Sequence, residues 1–455
     1  MNHSSSRLAA AFALLLITVG FVVAQSCDAS ESKPNIVFIL ADDLGYGDLG
    51  CYGHPSAETP NLDRLAREGV RMTQHYSNGP ECSPTRTAFL TGRYQQRIGG
   101  LECAIGTGNV GRYDDAIRLA EQRDLGLPAD STVIPRSMIQ SGYACAIFGK
   151  WHLGYEPKFY PLHHGWNEFF GYLGGNVHYF NHRETSSLHV LFDGNLPVYR
   201  DGYMTKLITD EAIEFIETQD GPFFLFVSHE TPHFPYQGPS DEAKVVTAEN
   251  WMEIDPQAYV SMLEDLDDEV GRILKTLKSR GISDNTLVVF ASDNGGFAGA
   301  AHMGPLQGAK GTTLEGGIRV PMIARWPGKI PSGVVSDQVC VTFDLTKSFL
   351  RIAGIQTEDV SLDGFDVIEH LENGQPSKPR TLYWRGRRGK RTWKAVREND
   401  WKLVQKTEGD DNESWLYDLS RDKGEQNDRS AEKPDIKKRL NQMLIKWEAE
   451  VAPKR

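Results

Sequence analysis

Five apolar runs punctuate the chain, and none alternates with polar residues as a half-buried strand would. They lie at 35–40, 143–148, 223–228, 286–291 and 322–326 and are rich in Val, Ile, Phe and Leu. Such runs predict strands covered on both faces, as in a parallel sheet. Between them the period lengthens to that of a helix. Thr59 as N-cap and Pro60 at the first position open one helix, with Leu62, Leu65 and Val70 on one face. Residues 201–218 form a second amphipathic segment. A long third covers 256–277, with Leu263, Leu266, Val270, Ile273, Leu274 and Leu277 at helical spacing. Strand alternating with helix predicts an α/β fold. After about residue 374 the pattern changes. Tyr383-Trp384, Lys394-Ala395-Val396, Lys402-Leu403-Val404 and Trp415-Leu416-Tyr417 read as short antiparallel strands between charged turns, and 436–451 as a closing helix. The expected division is a catalytic domain over 33–374 and a small α+β subdomain over 375–455. A chain of 455 residues has room for both.

The residues just after the strands are more telling than the strands themselves. Asp42-Asp43 comes after the first, Lys150-Trp151-His152 after the second, His229 and His233 after the third, and Asp293-Asn294 after the fourth. The fifth ends in Pro327-Gly328 and carries no such cluster. Open α/β sheets bind ligands at the carboxyl ends of their strands, so four groups far apart in sequence can meet at one sheet edge. Asp42, Asp43, Asp293 and Asn294 offer only hard oxygen ligands, which suit Ca²⁺ or Mg²⁺ and argue against zinc. Three carboxylates at one point repel without a cation. Alone, Asp42-Asp43-Leu44-Gly45 reads as a turn. A fifth group joins these. Pro84 suits a first helical turn, residues 85–90 continue it and Gly92 ends it, which puts Cys82 at a helix N-terminus. Free N–H groups and the helix dipole favour an anion there.

The run Cys82-Ser83-Pro84-Thr85-Arg86, continued by Thr87-Ala88-Phe89-Leu90-Thr91-Gly92-Arg93, resembles the signature of the formylglycine-dependent sulfatases. These are the arylsulfatase A-like members of the alkaline phosphatase superfamily. Residues 142–152 resemble the second signature of that family, His233-Phe234-Pro235 its substrate-side histidine, and 304–321 the segment around its sulfate-holding lysine. The matches reach from 35 to 321, and the C-terminal pattern also fits. The resemblance implies an alkaline-phosphatase-like core with a mixed, mostly parallel sheet flanked by helices. It implies a sulfuric ester hydrolase in which Cys82 is oxidised to formylglycine (3-oxoalanine), the hydrated aldehyde being the nucleophile. It makes Asp42, Asp43, Asp293, Asn294 and an oxygen of the modified Cys82 the ligands of a divalent cation. Calcium stands ahead of magnesium, because more protein oxygens are offered than magnesium usually takes. Arg86 orients the hydrate, and Lys150 and Lys310 bind sulfate oxygens. His152 is the base that collapses the sulfated intermediate. His233 protonates the leaving alcohol, with His229 its rival. The implied partners are a sulfate ester, a sulfated carbohydrate ahead of a sulfolipid or aryl sulfate, and a maturation enzyme. Two positions depart from the family pattern. Glu81 replaces a small or apolar residue, which bears on recognition by the maturation enzyme, and Cys145 replaces Ser or Thr.

Charge adds a constraint. The net charge is −12 with both signs well mixed, so nothing points to general nucleic-acid binding. An anionic substrate must be drawn by local positive charge at the site. One such run, 385–391, holds five cationic residues between Trp384 and Trp393. It reads either as a solvated hairpin turn or as a grip on further sulfates of a polymeric glycan through Arg387 and Arg388. The N-terminus reads as a signal peptide over 1–24. Arg7 precedes an apolar stretch, and Val22-Val23-Ala24 offers a small residue before Gln25. The stretch is short of the roughly 20 residues a membrane span needs. Export to the periplasm or the extracellular space is therefore expected. Lipid anchoring through Cys27 is less favoured, because Ala24-Gln25-Ser26 matches a lipoprotein signal poorly. The cysteines, at 27, 51, 82, 103, 145 and 340, show neither a CxxC pair nor zinc spacing. Export permits disulfides, Cys51 with Cys103 among them. Two rival functions share the core: a phosphatase or phosphonate hydrolase, and an anion-binding protein in which Cys82 is never oxidised. A two-metal phosphatase needs additional His and Asp ligands, and no convincing second set is present.

Overall fold

The structure, a computed structural model, describes residues 33–357 and 361–453. The expected signal peptide and Cys27 lie outside the described residues. Among the described residues no helix is long and apolar enough to cross a membrane.

Ten strands form the main sheet. In chain order its first members are β1 (Asn35–Ala41) and β2 (Val70–Met72), followed after the short β3 (His75–Tyr76) by β4 (Ala144–Lys150) and β5 (Glu168–Tyr172). Then come β6 (Leu191–Asp193), β7 (Leu196–Pro197), β8 (Phe223–Ser228), β9 (Thr286–Ser292), β10 (Met322–Arg325) and β11 (Val334–Ser336). β3 pairs instead with β12 (Cys340–Val341) as a separate two-stranded ribbon. The spatial order in the main sheet is β11-β2-β10-β9-β1-β8-β4-β5-β6-β7. The block β9-β1-β8-β4-β5 is parallel, with Ala41 opposite Ser292 and Leu40 opposite Ser228. The sheet is therefore mixed and mostly parallel, as expected. β10 departs from an all-parallel reading of the five runs, because it pairs antiparallel with β9. Its carboxyl end thus leaves at the opposite edge, which accounts for the lack of polar residues after it.

Both faces of the sheet are covered. Val37 and Ile39 pack into one cluster with the long helix Pro256–Ser279, and Ile36, Phe38 and Leu40 into the other. The long helix is capped by Asp255, whose carboxylate accepts the N–H groups of Gln257 and Ala258. The helix over 201–218 begins only at Met204. The first helix, Pro60–Glu68, stops before Val70, which belongs to β2. A Cβ on Gly69 would lie 2.1 Å from the Ala324 carbonyl oxygen, so glycine is required where the chain passes into the sheet. Thr59 does not cap this helix with its side chain. Its hydroxyl accepts from Gly50 N at 2.9 Å and donates to Asp63 at 3.2 Å.

The C-terminal part is a four-stranded antiparallel meander: β13 (Thr381–Arg388), β14 (Arg391–Glu398), β15 (Trp401–Glu408) and β16 (Asp411–Asp418). The helix Pro434–Glu450 lies against β14 and β15. This sheet shares a hydrophobic cluster with Tyr76, Ala88 and Tyr94 of the larger part, and Trp384 is fully buried there.

Candidate active site

Four parallel neighbours, in the order β9, β1, β8, β4, end at the same edge and release Asp293-Asn294, Asp42-Asp43, His229 to His233, and His152 just beyond Lys150. Lys150 itself is the last residue of its strand. The helix Cys82–Thr91 points its N-terminus at this edge. Every one of its residues is buried, and Gly92 closes it at φ 65°, a conformation that suits glycine. Phe89 anchors it among Phe38, Phe226 and Phe349. Cys82 is the first residue, preceded by Glu81 in extended conformation.

The predicted groups meet around that cysteine. Cys82 Sγ lies 3.3 Å from Asp42 Oδ1 and 3.5 Å from Lys310 Nζ. Lys310 Nζ donates to Asp43 Oδ1 at 2.7 Å and approaches His233 Nε2 at 3.0 Å. Lys150 Nζ is bonded to Asp42 Oδ2. Arg86 sends Nε and Nη2 to Asp293 Oδ2 at 3.0 and 2.8 Å and donates to the Lys150 carbonyl at 3.1 Å. Asp293 Oδ1 accepts Asp43 N at 3.3 Å. Asn294 Nδ2 donates to Asp43 Oδ1 at 2.7 Å. Asp43 and His152 adopt φ 62° and 55°, unusual for residues with side chains and typical of tightly determined functional positions.

Burial sets the electrostatics. It is the largest influence on Asp42, whose carboxyl it pushes up, together with Asp293, to about 7 against the pull of Lys150. The Cys82 thiol is driven well above its ordinary value by burial, then by Asp293 and Asp42. Burial alone would lower the Lys150 and Lys310 ammonium groups, but Asp42 and Asp43 hold them protonated. Both lysines thus rest on carboxylates here, supplying the positive charge that buried carboxylates require. His152 is held well below its ordinary value by burial and then Lys150. Its Nε2 lies 2.8 Å from the Ile105 carbonyl, which fixes the proton on Nε2 and leaves the buried Nδ1 as an unpartnered lone pair. In His233, Nδ1–H donates to the Phe234 carbonyl at 2.7 Å, which leaves Nε2 to accept from Lys310. Burial and Lys310 hold this ring neutral as well. His229 is fully buried with both ring nitrogens unpartnered, is pushed down to about 3 by burial, and does not line the cavity over Cys82.

The donors fit a hard divalent cation. Among the described residues, ligand atoms of Asp42, Asp43, Cys82 and His233 lie within 4.8 Å of one another. Asn294 Oδ1 is buried beside them with no hydrogen-bond partner. Asp293, one of whose oxygens accepts from Arg86, stands outside that quartet, and His233, whose Nε2 lies 3.0 Å from Lys310 Nζ, joins it unexpectedly. Carboxylate and amide oxygens of this kind suit Ca²⁺ or Mg²⁺.

A cavity of about 560 Å³ opens over Cys82, His152, His233 and Lys310. Its size is typical of a small-ligand site. Ala104, Ile105 and Arg112 contribute from one loop, and Gly175 and Asn176 from another. Trp251, whose Nε1 donates to Asn176 Oδ1 at 2.8 Å, and Phe297 close it. Arg388, Arg391, Trp393 and Lys406 reach in from the C-terminal sheet. Sequence reasoning missed Arg112, Trp251, Phe297 and Lys406, which sit in loops or strands with no periodic or motif signal. Arg387 departs from expectation. It does not line the cavity but lies over the Tyr113 ring at 4.8 Å, near Glu102, Asp114 and Asp115. Nor do Cys51 and Cys103 pair; both are free thiols, Cys103 in a small apolar cluster with Leu101, Ile105 and Tyr113. A larger groove of about 730 Å³, lined by Arg64, Glu68 and Lys275 among others, contains none of the groups predicted for chemistry.

Comparison with known proteins identifies the family. The sulfatase family model matches residues 34–355, and one for the C-terminal region of N-sulphoglucosamine sulphohydrolase matches 309–450. The chain belongs to the sulfatase family, enzymes of the alkaline phosphatase superfamily that hydrolyse sulfate esters. It is 36% identical over 402 residues to N-acetylgalactosamine-6-sulfatase of Mus musculus, covering 82% of this chain and 72% of that protein. It is 32% identical over 406 residues to arylsulfatase A of Homo sapiens, covering 82% and 73%. Among solved structures it resembles Ps i-CgsB in complex with k-i-k-neocarrahexaose, with TM-score 0.79, 29% identity, and 91% and 93% of the two chains covered.

Proposed function

We propose that the chain removes sulfate from a sulfated carbohydrate, using a formylglycine made from Cys82 by a separate maturation enzyme and a divalent cation, calcium ahead of magnesium. The observation that carries this reading is the setting of Cys82. It is the first residue of a fully buried helix, between Asp42 and Lys310, at the floor of a cavity. Reactive cysteine thiols occupy electropositive, partly exposed surroundings that favour the thiolate. This thiol is buried among carboxylates that disfavour it. An aldehyde hydrate needs no thiolate, so oxidation resolves the conflict.

The residues then divide the work. Asp42, Asp43, Asp293 and Asn294 would hold the cation, which when bound offsets negative charge and acts as a Lewis acid toward a sulfate oxygen. Arg86 fixes Asp293 and the end of β4 at the floor. Lys150 and Lys310 present ammonium groups to the sulfate oxygens, charge placed where the transition state develops it. The unpartnered Nδ1 of His152 takes the proton that collapse of the sulfated intermediate releases. The proton for the departing alcohol oxygen comes from the Lys310 ammonium, which donates to His233 Nε2, and the ring passes it on from that nitrogen. The chemistry belongs to 33–374, and 375–455 furnishes one wall of the cavity. The N-terminal segment 1–24 directs export. Names among the relatives, N-acetylgalactosamine-6-sulfatase and a structure holding a neocarrahexaose, support a sugar sulfate.

Turnover of 4-nitrophenyl sulfate against 4-nitrophenyl phosphate tests the assignment. The sulfate is expected to be cleaved with the higher kcat/KM. A phosphate preference would establish the phosphatase reading instead.

A further inference from the structure

We propose that the mouth of the cavity is a second anion subsite, formed by Arg112, Arg388 and Arg391 beside Trp393, and that it selects oligosaccharides carrying another negative group next to the sulfate removed. The inference rests on the sulfatase reading and narrows its substrate. Three observations point to it. First, away from the reacting centre the cavity wall carries four cations, Arg112, Arg388, Arg391 and Lys406, against one carboxylate, Glu81, in a chain of net charge −12. Second, Arg385 and Arg387 of the basic run and Lys406 on the same wall are paired with carboxylates, whereas among the described residues the three guanidinium groups of the subsite have at most one long ion pair. Arg385 is held by Glu102 and Glu448, Arg387 faces Glu102, Asp114 and Asp115, and Lys406 pairs with Glu408 and Glu413. Among the described residues Arg112 and Arg391 have no carboxylate partner, and Arg388 has only Glu81 at 3.7 Å, whose other oxygen is taken by Ala104 N at 2.9 Å. Third, the backbone brings the three together. Arg388 and Arg391 are directly opposite across the β13–β14 hairpin, where like charges repel. The hairpin turn is tied to the loop by a bond from Gly389 N to the Arg112 carbonyl at 2.5 Å.

Clustered guanidinium groups without counter-charges are offset by a bound anion, and their planar forks match a sulfate or a carboxylate. Trp393, stacked on Trp415 at 6.3 Å, lines the same wall and offers an aromatic face to a sugar ring. A ring whose sulfate reaches Cys82 leaves its neighbour at this wall.

The test uses the full, oxidised protein and three disaccharides that share one scissile sulfate. The neighbouring ring is neutral, sulfated or carboxylated. The wild-type kcat/KM is expected to be at least tenfold higher for a charged neighbour than for the neutral one. The Arg388→Gln/Arg391→Gln double variant should bring that ratio to within twofold of unity. The arm with the larger wild-type ratio identifies the second group as sulfate or carboxylate. A wild-type ratio near unity, or a ratio the double variant leaves unchanged, overturns the subsite. Binding of the same sugars to Cys82→Ala protein, read by tryptophan fluorescence, separates this from failure of the sulfatase reading. Loss of charge-dependent binding in the double variant supports the subsite even where no ester is cleaved, and unaltered binding overturns it.

Discussion

Cys82 combines two properties that conflict in an unmodified thiol: a place at the centre of the charged site and a proton it cannot easily lose. Replacing it separates them. Cys82→Ala is expected to abolish aryl sulfate turnover by at least about 10³-fold, as loss of a nucleophile does. Folding stability should change by less than about 2 kcal/mol, because only a small buried group and the weak sulfur bonds to Asp42 and Lys310 are lost while both of those groups keep other partners. Activity assays and thermal melts read the two effects. Glu184 gives a second residue-scale prediction. It is 3% exposed, accepts a bond from the Tyr155 hydroxyl at 2.6 Å, and has its other oxygen unpartnered. Burial raises its carboxyl from 4.5 to about 7. A folded value above the unfolded one means that the proton stabilises the fold: the contribution is complete below pH 4.5 and is lost as pH rises through about 7. Glu184→Gln should therefore raise Tm at pH 8 relative to wild type and leave it little changed at pH 4.5. An equal shift at both values would contradict the assignment.

At the scale of elements, the buried strands were legible because unbroken apolar runs admit few other readings, and the polar residues after them mark the carboxyl edge without regard to fold details. Less was legible where a tertiary contact overrides a local pattern. The period around Leu62 and Leu65 continues to Val70, but the helix ends at Glu68, and Gly69 packs its backbone against Ala324, where a Cβ would clash. β5 was missed because only Phe169, Phe170 and Tyr172 carry its apolar signal, around Gly171. The join between the loop bearing Lys310 and the C-terminal sheet was invisible for the same reason. There Glu315 accepts from Lys402 at 2.8 Å, from Arg319 at 3.1 Å and from Tyr76 at 2.7 Å, and Lys402 also meets Glu425 at 2.9 Å. Both Lys402 and Glu315 are fully buried. Removing one partner of a buried pair costs about 3–5 kcal/mol. Lys402→Met should lose stability of that order in denaturant unfolding. It should also lower sulfate turnover, because the short helix beginning at Glu315 ends the segment that carries Lys310. Normal activity in a destabilised variant would show that the join does not position Lys310.

For the molecule as a whole, most of the residues that gather around Cys82 could be read from sequence while the cavity could not. Asp42, Lys150, His233 and Asp293 announce themselves by position at or after a strand end and Cys82 by position at a helix start, whereas Lys310, in the loop between β9 and the short helix at Glu315, is marked only by the resemblance of its segment to the sulfatase pattern. Arg112, Trp251 and Phe297 reach the cavity only through loop conformations that no spacing encodes. The cluster of buried carboxylates also makes a prediction for the intact protein. Chelation of divalent ions should lower Tm, and Ca²⁺ at about 100 times its Kd should restore about 2.7 kcal/mol. Insensitivity of Tm to chelator and to calcium would remove the cation from the account.

In the proposed reaction residue 82 works as an aldehyde. Mass analysis of the peptide spanning residue 82, from catalytically active protein purified from its native host, tests it most directly. The expected side chain has lost its sulfur and two hydrogens and gained one oxygen. A fully active preparation in which that peptide carries only the intact thiol would contradict it.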